Sequence, residues 1–213
     1  MGFNEFKDTI GYAKDFLNYN DLLERPTSIK KPPTKRSVIE SPNKKDYAKK
    51  LLQESLPIEG TLAARYLKEH RKLMHFKSDD VRFIPNLPTR HGDNKMRVPA
   101  LMCIARDSSG ELNNVQVTRL NPLTGNKDYA SKTIKQTYGK INGCPVELNT
   151  KSTEITTYLT EGLETGLSLL EVNPEARVMT VLGKKNFETV DLSRLTNHVV
   201  LCVDNDGKKR LVT

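Results

Sequence analysis

Two acidic sequences stand where predicted buried strands end. Glu161 follows the apolar run 155–160, and Asp204-Asn205-Asp206 follows the apolar run 199–203. Parallel strands present their carboxyl ends at one edge of a sheet, where open α/β folds bind ligands. Three carboxylates at such an edge would form an oxygen-rich site that suits Mg²⁺ or Mn²⁺. The alternative is that these acidic residues only cap helices and form turns, as they commonly do after strands.

The elements that would position these carboxylates alternate along the chain. From residue 155 onward, the apolar pattern predicts a strand at 155–160, a helix at 163–170, a strand at 178–182, a helix or a loop at 186–195 and a strand at 199–203. This alternation indicates an α/β fold with parallel strands joined by crossover helices. Gly162 permits a tight turn between the first strand and the helix after it.

The preceding part of the chain predicts a different organisation. An amphipathic helix within residues 1–25 is followed by a Lys- and Pro-rich linker at 26–45. Residues 46–150 predict an α+β domain, and 151–213 form the α/β domain. Within the α+β domain we expect helices at 46–55 and 61–70, the second capped by Thr61, a strand at 81–85 and a hairpin across 98–120.

The charge of the chain favours a polyanionic partner. Its formal net charge is +8 and its pI about 9.3, although charge alone indicates attraction rather than fold. Six basic residues are candidates for contacts with nucleic-acid or nucleotide phosphates, each with a solvated surface charge as its alternative: Arg97, Arg119, Lys132, Lys135, Lys184 and Lys185. Tyr129 and Tyr138 are candidates for stacking on bases, with packing in the core or at its rim as the alternative.

Several classes of protein lack support in the sequence. The three cysteines match no metal-ligand spacing and favour a reducing, cytoplasmic setting. No apolar stretch approaches the roughly 20 residues of a membrane-spanning helix, so no membrane partner is expected. A Walker-type phosphate loop and a Ser/His/Asp arrangement are both missing.

The acidic motifs resemble those of the Toprim family. Residues 158–169 look like the first Toprim motif and 204–206 like the second, while 181–187 are similar to the segment between them in phage, plasmid and conjugative-transfer primases. The region upstream resembles the part that precedes Toprim in bacterial-type primases, through residues 97–102, 106–110, 118–120, 132–135 and Gly139.

This resemblance implies a fold and an activity. It implies a Toprim-like Rossmannoid parallel sheet, preceded by an α+β primase-type domain and an N-terminal helix. Glu161 would act as general acid or base, and Asp204 and Asp206, with Glu161, as ligands of Mg²⁺. The parent protein, encoded by a mobile element, would bind single-stranded DNA and join nucleoside triphosphates into primers. Helicase or relaxase domains are expected on the same polypeptide.

Two alternatives remain beside primer synthesis. Gly207 follows the second motif directly and the chain stops at Thr213, so we expect a C-terminally incomplete Toprim domain, and the sequence leaves open whether it is active alone. The first alternative is therefore a noncatalytic module of a conjugative relaxase that binds single-stranded DNA or a partner. The second is strand cleavage of the topoisomerase or nuclease kind; topoisomerases need a nucleophilic tyrosine, and none of the seven tyrosines has a context that distinguishes it.

Overall fold

The structure of this chain is a computed structural model that describes residues 43–76, 78–140 and 143–203. The predicted N-terminal helix, most of the predicted linker, and Asp204 and Asp206 lie outside these residues. The described residues belong to a single compact unit. None of their helices is long and apolar enough to cross a lipid bilayer.

A five-stranded antiparallel sheet forms the first half of this unit. Its strands follow the chain in the order β1-β2-β3-β4-β5, with the bounds Leu56–Pro57, Val81–His91, Asn94–Arg106, Leu112–Arg119 and Lys135–Gly139. Helix α1, Asn43–Glu54, begins three residues before its predicted start and buries Ala48 and Leu51 against one face of the sheet. The hairpin predicted across 98–120 is confirmed as β3 and β4.

Strand β2 is longer than predicted, and its proline explains the difference. A proline lacks the N–H that a ladder needs, so the pattern predicts a strand that stops at Pro85. In the structure the register between β2 and β3 shifts between Ile84 and Leu87, so Pro85 lies inside this irregularity and has no partner in the ladder. Pairing then continues to His91, which is opposite Asn94. A long β2–β3 hairpin with its turn at 92–93 is the result.

The second helical segment begins as predicted and then changes its winding. Helix α2 spans Leu62–Arg65, and the Thr61 hydroxyl accepts a hydrogen bond from the Ala64 amide at 3.4 Å. The chain continues as a π-helical turn over Tyr66–His70. Tyr66 is fully buried there, and the turn lies against the other face of the antiparallel sheet.

A four-stranded sheet with the order β6-β8-β7-β9 forms the second half. Its strands are Val146–Glu147, Thr156–Thr160, Arg177–Thr180 and His198–Cys202, and helix α3 spans Leu163–Val172. Strand β7 pairs in parallel with both β8 and β9, which confirms the predicted crossovers. Strand β6 pairs antiparallel with β8, so the sheet is mixed rather than wholly parallel and the fold combines antiparallel and parallel sheets.

The predicted helix at 186–195 is wrong. Two short 3₁₀ helices, Lys184–Thr189 and Leu192–Arg194, replace it. Val190 between them is extended, with φ −58° and ψ 138°, and the Asp191 side chain accepts a hydrogen bond from the Ser193 amide. The extended residue ends one turn and the capping aspartate starts another, so no continuous helix forms.

Helix α3 lies close to the strands that flank it because it carries a glycine at the contact. A Cβ atom on Gly166 would come within 2.5 Å of Leu148 Cδ1 and 2.9 Å of Thr160 Oγ1. The same helix buries Leu163, Leu167 and other apolar side chains in a core shared with α2 and the antiparallel sheet. Helix α3 therefore packs simultaneously against both halves of the unit.

The Glu164 carboxylate ties the two halves together through polar contacts. It accepts a hydrogen bond from the Tyr66 hydroxyl, lies 3.0 Å from Lys127 Nζ, and lies 3.2 Å from Arg71 Nη2. Burial alone would raise the pKa of Glu164, but the hydrogen bonds from Tyr66 and Lys127 outweigh it and hold this pKa below its usual value. Burial, followed by the bond to Glu164, raises the pKa of Tyr66, so its hydroxyl remains a neutral donor.

Glu164→Gln should lower the free energy of unfolding by about 2 kcal/mol at neutral pH, because it removes hydrogen bonds to a charged acceptor. A depressed pKa contributes stability above the unfolded-state pKa of about 4.3, and that stability is lost as the pH falls through the folded-state pKa. The difference between wild type and variant should therefore shrink below about pH 4. Urea unfolding of wild type and variant at a series of pH values measures this difference in the free energy of unfolding.

The matched control is Glu175→Gln, which alters an exposed carboxylate and should leave the stability unchanged. If the Glu164→Gln difference stays constant down to pH 3, the charge of this carboxylate does not hold the two halves together.

Candidate functional site

The carboxyl ends of three strands lie side by side at one edge of the second sheet. Thr160, the last residue of β7, is paired with Thr180 of β8 and with Cys202 of β9. Neighbouring strands in a sheet are about 4.8 Å apart. Glu161 is the first residue after β7. It therefore leaves the sheet beside the end of β9, from which Val203 leads towards the second acidic motif.

The turn after β8 is bonded directly to Glu161. The Gly183 amide donates to the Glu161 carbonyl at 2.9 Å, and the Asn186 side-chain amide donates to the Val181 carbonyl at 2.7 Å. Leu182 has φ 58° and Gly183 has φ 142°. A non-glycine residue at positive φ is costly and persists only where its surroundings hold it, so this turn has a defined conformation beside Glu161.

Lys184 and Lys185 come to the same edge through this turn. They begin the first 3₁₀ helix immediately after Gly183, and both side chains are exposed. Their segment thus starts beside Glu161, as the sequence predicts for residues that follow a neighbouring strand. The edge combines a carboxylate with two accessible ammonium groups.

The predicted metal site is only partly within the described residues. In residues 43–76, 78–140 and 143–203 no three His, Cys, Asp or Glu side chains gather closely enough to hold a metal ion. Asp204 and Asp206 lie outside these ranges, while Glu161 is half-buried at the edge. The three-carboxylate site therefore stays a prediction.

A basic groove lies on the antiparallel sheet. It has a volume of about 900 Å³ and is bounded by β2, β3, β4 and the start of β5. Five cationic side chains line it and no acidic side chain of the described residues does: Arg90, Lys95, Arg97, Arg119 and Lys132. Phosphate groups are the ligands that such a surface attracts most strongly.

Arg119 is buried in the floor of the groove with only neutral partners. It is 4% exposed. Its guanidinium donates to the Thr133 carbonyl at 2.8 Å and to Gln136 Oε1 at 2.9 Å, with longer bonds to the Pro88 carbonyl and the Tyr138 hydroxyl. Its Nε has no acceptor among the described residues. Because these acceptors carry no charge, they orient the cation without neutralising it, and its positive potential remains in the groove.

Three of the four basic residues predicted for this module line the groove, and Lys135 does not. Side chains alternate between the faces of a strand, and Gln136 is the β5 residue that reaches the groove. Lys135, the preceding residue, therefore lies on the opposite face of β5, where its side chain is exposed. A shift of the β5 register by one residue would exchange the faces on which Lys135 and Gln136 lie.

Arg90 and Lys95 were not among the candidates predicted from the sequence. They are paired across the β2–β3 hairpin, and that hairpin was missed because of Pro85 and Pro88. The sequence His91-Gly92-Asp93-Asn94 is a turn signal that could have identified it. A hairpin closed there places two basic residues next to one another.

The two tyrosine candidates have different surroundings. Tyr138 lies in the groove and packs edge-on against Tyr47, with ring centroids 4.9 Å apart. Tyr129 is 71% exposed. Packing therefore accounts for Tyr138, whereas it does not account for Tyr129.

Three solved structures of primase cores are similar to this chain. The DnaG catalytic core has 17% identity and a TM-score of 0.45, with 76% of this chain and 60% of that chain covered. The E. coli primase catalytic core has 14% identity and a TM-score of 0.46, with 75% and 60% covered. The RNA polymerase domain of Mycobacterium tuberculosis primase DnaG has 14% identity and a TM-score of 0.43, with 76% and 64% covered.

This chain thus spans less than two thirds of each of those structures. The activity of a whole primase core can therefore only be proposed for this chain. No curated protein matches it. One family model matches residues 42–148, just over half of the chain, which include α1, the antiparallel sheet and the basic groove. The chain belongs to the family described as "Domain of unknown function (DUF7146)".

Proposed function

We propose that this chain is the primase-type part of a DNA-processing protein. It binds single-stranded DNA along the basic groove and, with nucleoside triphosphates and Mg²⁺ or Mn²⁺, joins ribonucleotides into primers at the edge beside Glu161. The Toprim-like motifs at 158–169 and 204–206 support the chemistry. Helicase or relaxase domains of the same polypeptide, in a phage, plasmid or conjugative element, would supply the remaining steps.

The observation that carries this proposal is the in-register parallel pairing of β7 with β9. Because Thr160 is opposite Cys202, the two strands that lead into Glu161 and towards Asp204 end at adjacent points of one edge. The turn after β8, bonded to Glu161, adds Lys184 and Lys185 there. An antiparallel pairing would have put the ends of these two strands at opposite edges of the sheet.

The donor groups fit the proposed metal. Glu161, Asp204 and Asp206 offer only carboxylate oxygens, which are the ligands that Mg²⁺ prefers. A bound Mg²⁺ would supply neutralisation of phosphate charge and orientation of the reacting oxygens. Lys184 and Lys185 would hold nucleotide phosphates at the same edge, and Glu161 would move a proton as general acid or base.

The groove would hold the template strand or the nucleotide phosphates. Arg119 is fixed by four neutral acceptors, so it meets an anion without having to reorganise. Arg97 and Lys132 flank it at the more accessible wall. A rigid cation at the floor and exposed cations at the rim suit a flexible polyanion better than a compact metabolite.

A noncatalytic single-strand-binding module is the second candidate function. The groove favours it, because binding by Arg119 and its neighbours needs neither a metal nor the second acidic motif. The two functions differ in whether the edge beside Glu161 does chemistry. Strand cleavage gains no comparable support from the described residues.

Primer synthesis separates the two candidates. We expect the parent protein, of which this chain is the primase-type part, to make dinucleotides from ribonucleoside triphosphates on a single-stranded template with Mg²⁺. Glu161→Gln should reduce the rate by about 10²–10⁴, the usual contribution of a general acid or base. Asp204→Asn should also reduce it, because a proposed Mg²⁺ ligand is lost, and both variants should keep the affinity for single strands. Radiolabelled product formation and fluorescence anisotropy measure the two quantities.

Glu154→Gln, which alters a carboxylate at the amino-terminal side of β7, is the control and should keep the full rate. Synthesis that survives both substitutions would refute the catalytic assignment. Wild-type protein that binds single strands without any synthesis would establish the binding module instead.

Binding to the groove should depend strongly on salt. Each phosphate contact removed from a single strand reduces the slope of log K against log[salt] by about 0.7. Arg97→Ala and Lys132→Ala should each produce that reduction, as measured by anisotropy of a labelled oligodeoxythymidine across a salt series. Lys135→Ala removes a cation of the same module from the opposite face and should leave the slope unchanged; an equal loss there would contradict the assignment of faces.

A further inference from the structure

Tyr129 is an exposed aromatic side chain on a turn that is otherwise tied down. It is 71% exposed and lies between Lys127, which bridges to Leu120 at the end of β4, and Lys132 in the groove. A single exposed tyrosine on a mobile loop would need no explanation. The surroundings of this one are different.

One side of the turn is held by the contact between the two halves of the unit. Lys127 Nζ lies 3.0 Å from Glu164 Oε1, and the Lys127 side chain is only 19% exposed. Glu164 stands in the first turn of α3, three residues after Glu161. The backbone just before Tyr129 is therefore fixed relative to the candidate catalytic edge.

The other side of the turn is held by a buried carboxylate. Asp128 is fully buried, and its Oδ2 accepts hydrogen bonds from His91 Nε2 at 2.7 Å and from the Ser131 hydroxyl. The Ser131 oxygen is also 2.8 Å from Thr89 Oγ1. These contacts attach the residues on both sides of Tyr129 to strand β2.

Backbone hydrogen bonds join the same turn to the groove. The Asp128 amide donates to the Arg119 carbonyl at 2.9 Å, and the Lys132 amide donates to the Arg90 carbonyl at 3.0 Å. Two groove residues thus fix the start and the end of the segment that carries Tyr129. The ring is presented outward from a rigid support, and ordering it on binding costs little entropy.

We propose that Tyr129 is a stacking platform for one unpaired base of a single strand whose phosphates contact Lys132 and the groove beyond it. Aromatic side chains set among cations are the common means of holding single strands, because every base offers a π face whatever its sequence. A duplex hides those faces in its own stack, so the ligand is single-stranded. This inference rests on the proposed function for its ligand, and it adds a contact that reads the base rather than the phosphate.

The chain contains no tryptophan, which permits a direct test. Tyr129→Trp introduces a single indole, and stacking by a base should quench its fluorescence when oligodeoxythymidine is added. An abasic oligonucleotide of the same length carries the same phosphates and should leave the fluorescence unchanged. Val172→Trp places an equally accessible indole at the far end of α3, where Val172 is 85% exposed, and should show no quenching with either oligonucleotide.

Affinity gives the second readout. Tyr129→Ala should weaken binding of oligodeoxythymidine on the order of tenfold and leave binding of the abasic oligonucleotide unchanged, while Tyr129→Phe should bind both as wild type does. Equal binding of oligodeoxythymidine by wild type and Tyr129→Ala would overturn the proposal, as would an equal loss for both oligonucleotides.

The same experiment distinguishes failure of this inference from failure of the proposed function. If wild type binds single strands in a salt-dependent manner but Tyr129→Ala changes nothing, only the stacking platform is refuted. If wild type binds neither oligonucleotide at low salt, the nucleic-acid function fails and the stacking platform fails with it. Thermal unfolding of Tyr129→Ala should match wild type, because the ring contributes little to the core.

Discussion

Parallel pairing of β7 with both of its neighbours is the constraint on which the candidate site depends. Parallel strands send their carboxyl ends to one edge, and the register places Thr160, Thr180 and Cys202 side by side. Every residue proposed for chemistry follows one of these strand ends. The hydrogen bond from the Gly183 amide to the Glu161 carbonyl then fixes how the chain leaves the sheet after β7 and after β8.

The groove and the edge belong to different sheets, and a short set of polar contacts relates them. Glu164 joins α3 to Tyr66 and Lys127, and Asp128, next in sequence, joins the same turn to His91 on β2. Charges with partners at these contacts stabilise the relative position of the two sheets. Arg119, whose acceptors are neutral, keeps its charge available for a ligand. Cations with a charged partner therefore stabilise the fold, whereas cations with only neutral partners are the candidates for binding phosphate.

The sequence predicted the elements that have a strong hydrophobic period. It missed the features that depend on strand register or on one residue such as a proline. The crossover pattern after residue 155 was sufficient to predict parallel strands, and Thr61 to predict the cap of α2. Pro85 concealed the long β2, because a shift of register that passes a proline has no sequence signal. The face on which Lys135 lies depends on one residue of β5 register. For the candidate site, the sequence identified the motifs and three groove cations, whereas Arg90, Lys95 and the support of Tyr129 required the three-dimensional pairing.

The central claim is that Glu161 shares one divalent ion with the second acidic motif. Binding of Mn²⁺ followed by electron paramagnetic resonance tests it without any need for catalysis. The account predicts one tight Mn²⁺ per chain, weakened to a similar extent by Glu161→Gln and by Asp204→Asn and displaced by Mg²⁺. Wild-type affinity in Glu161→Gln, together with its loss in Asp204→Asn, would show that the two groups do not meet at one ion.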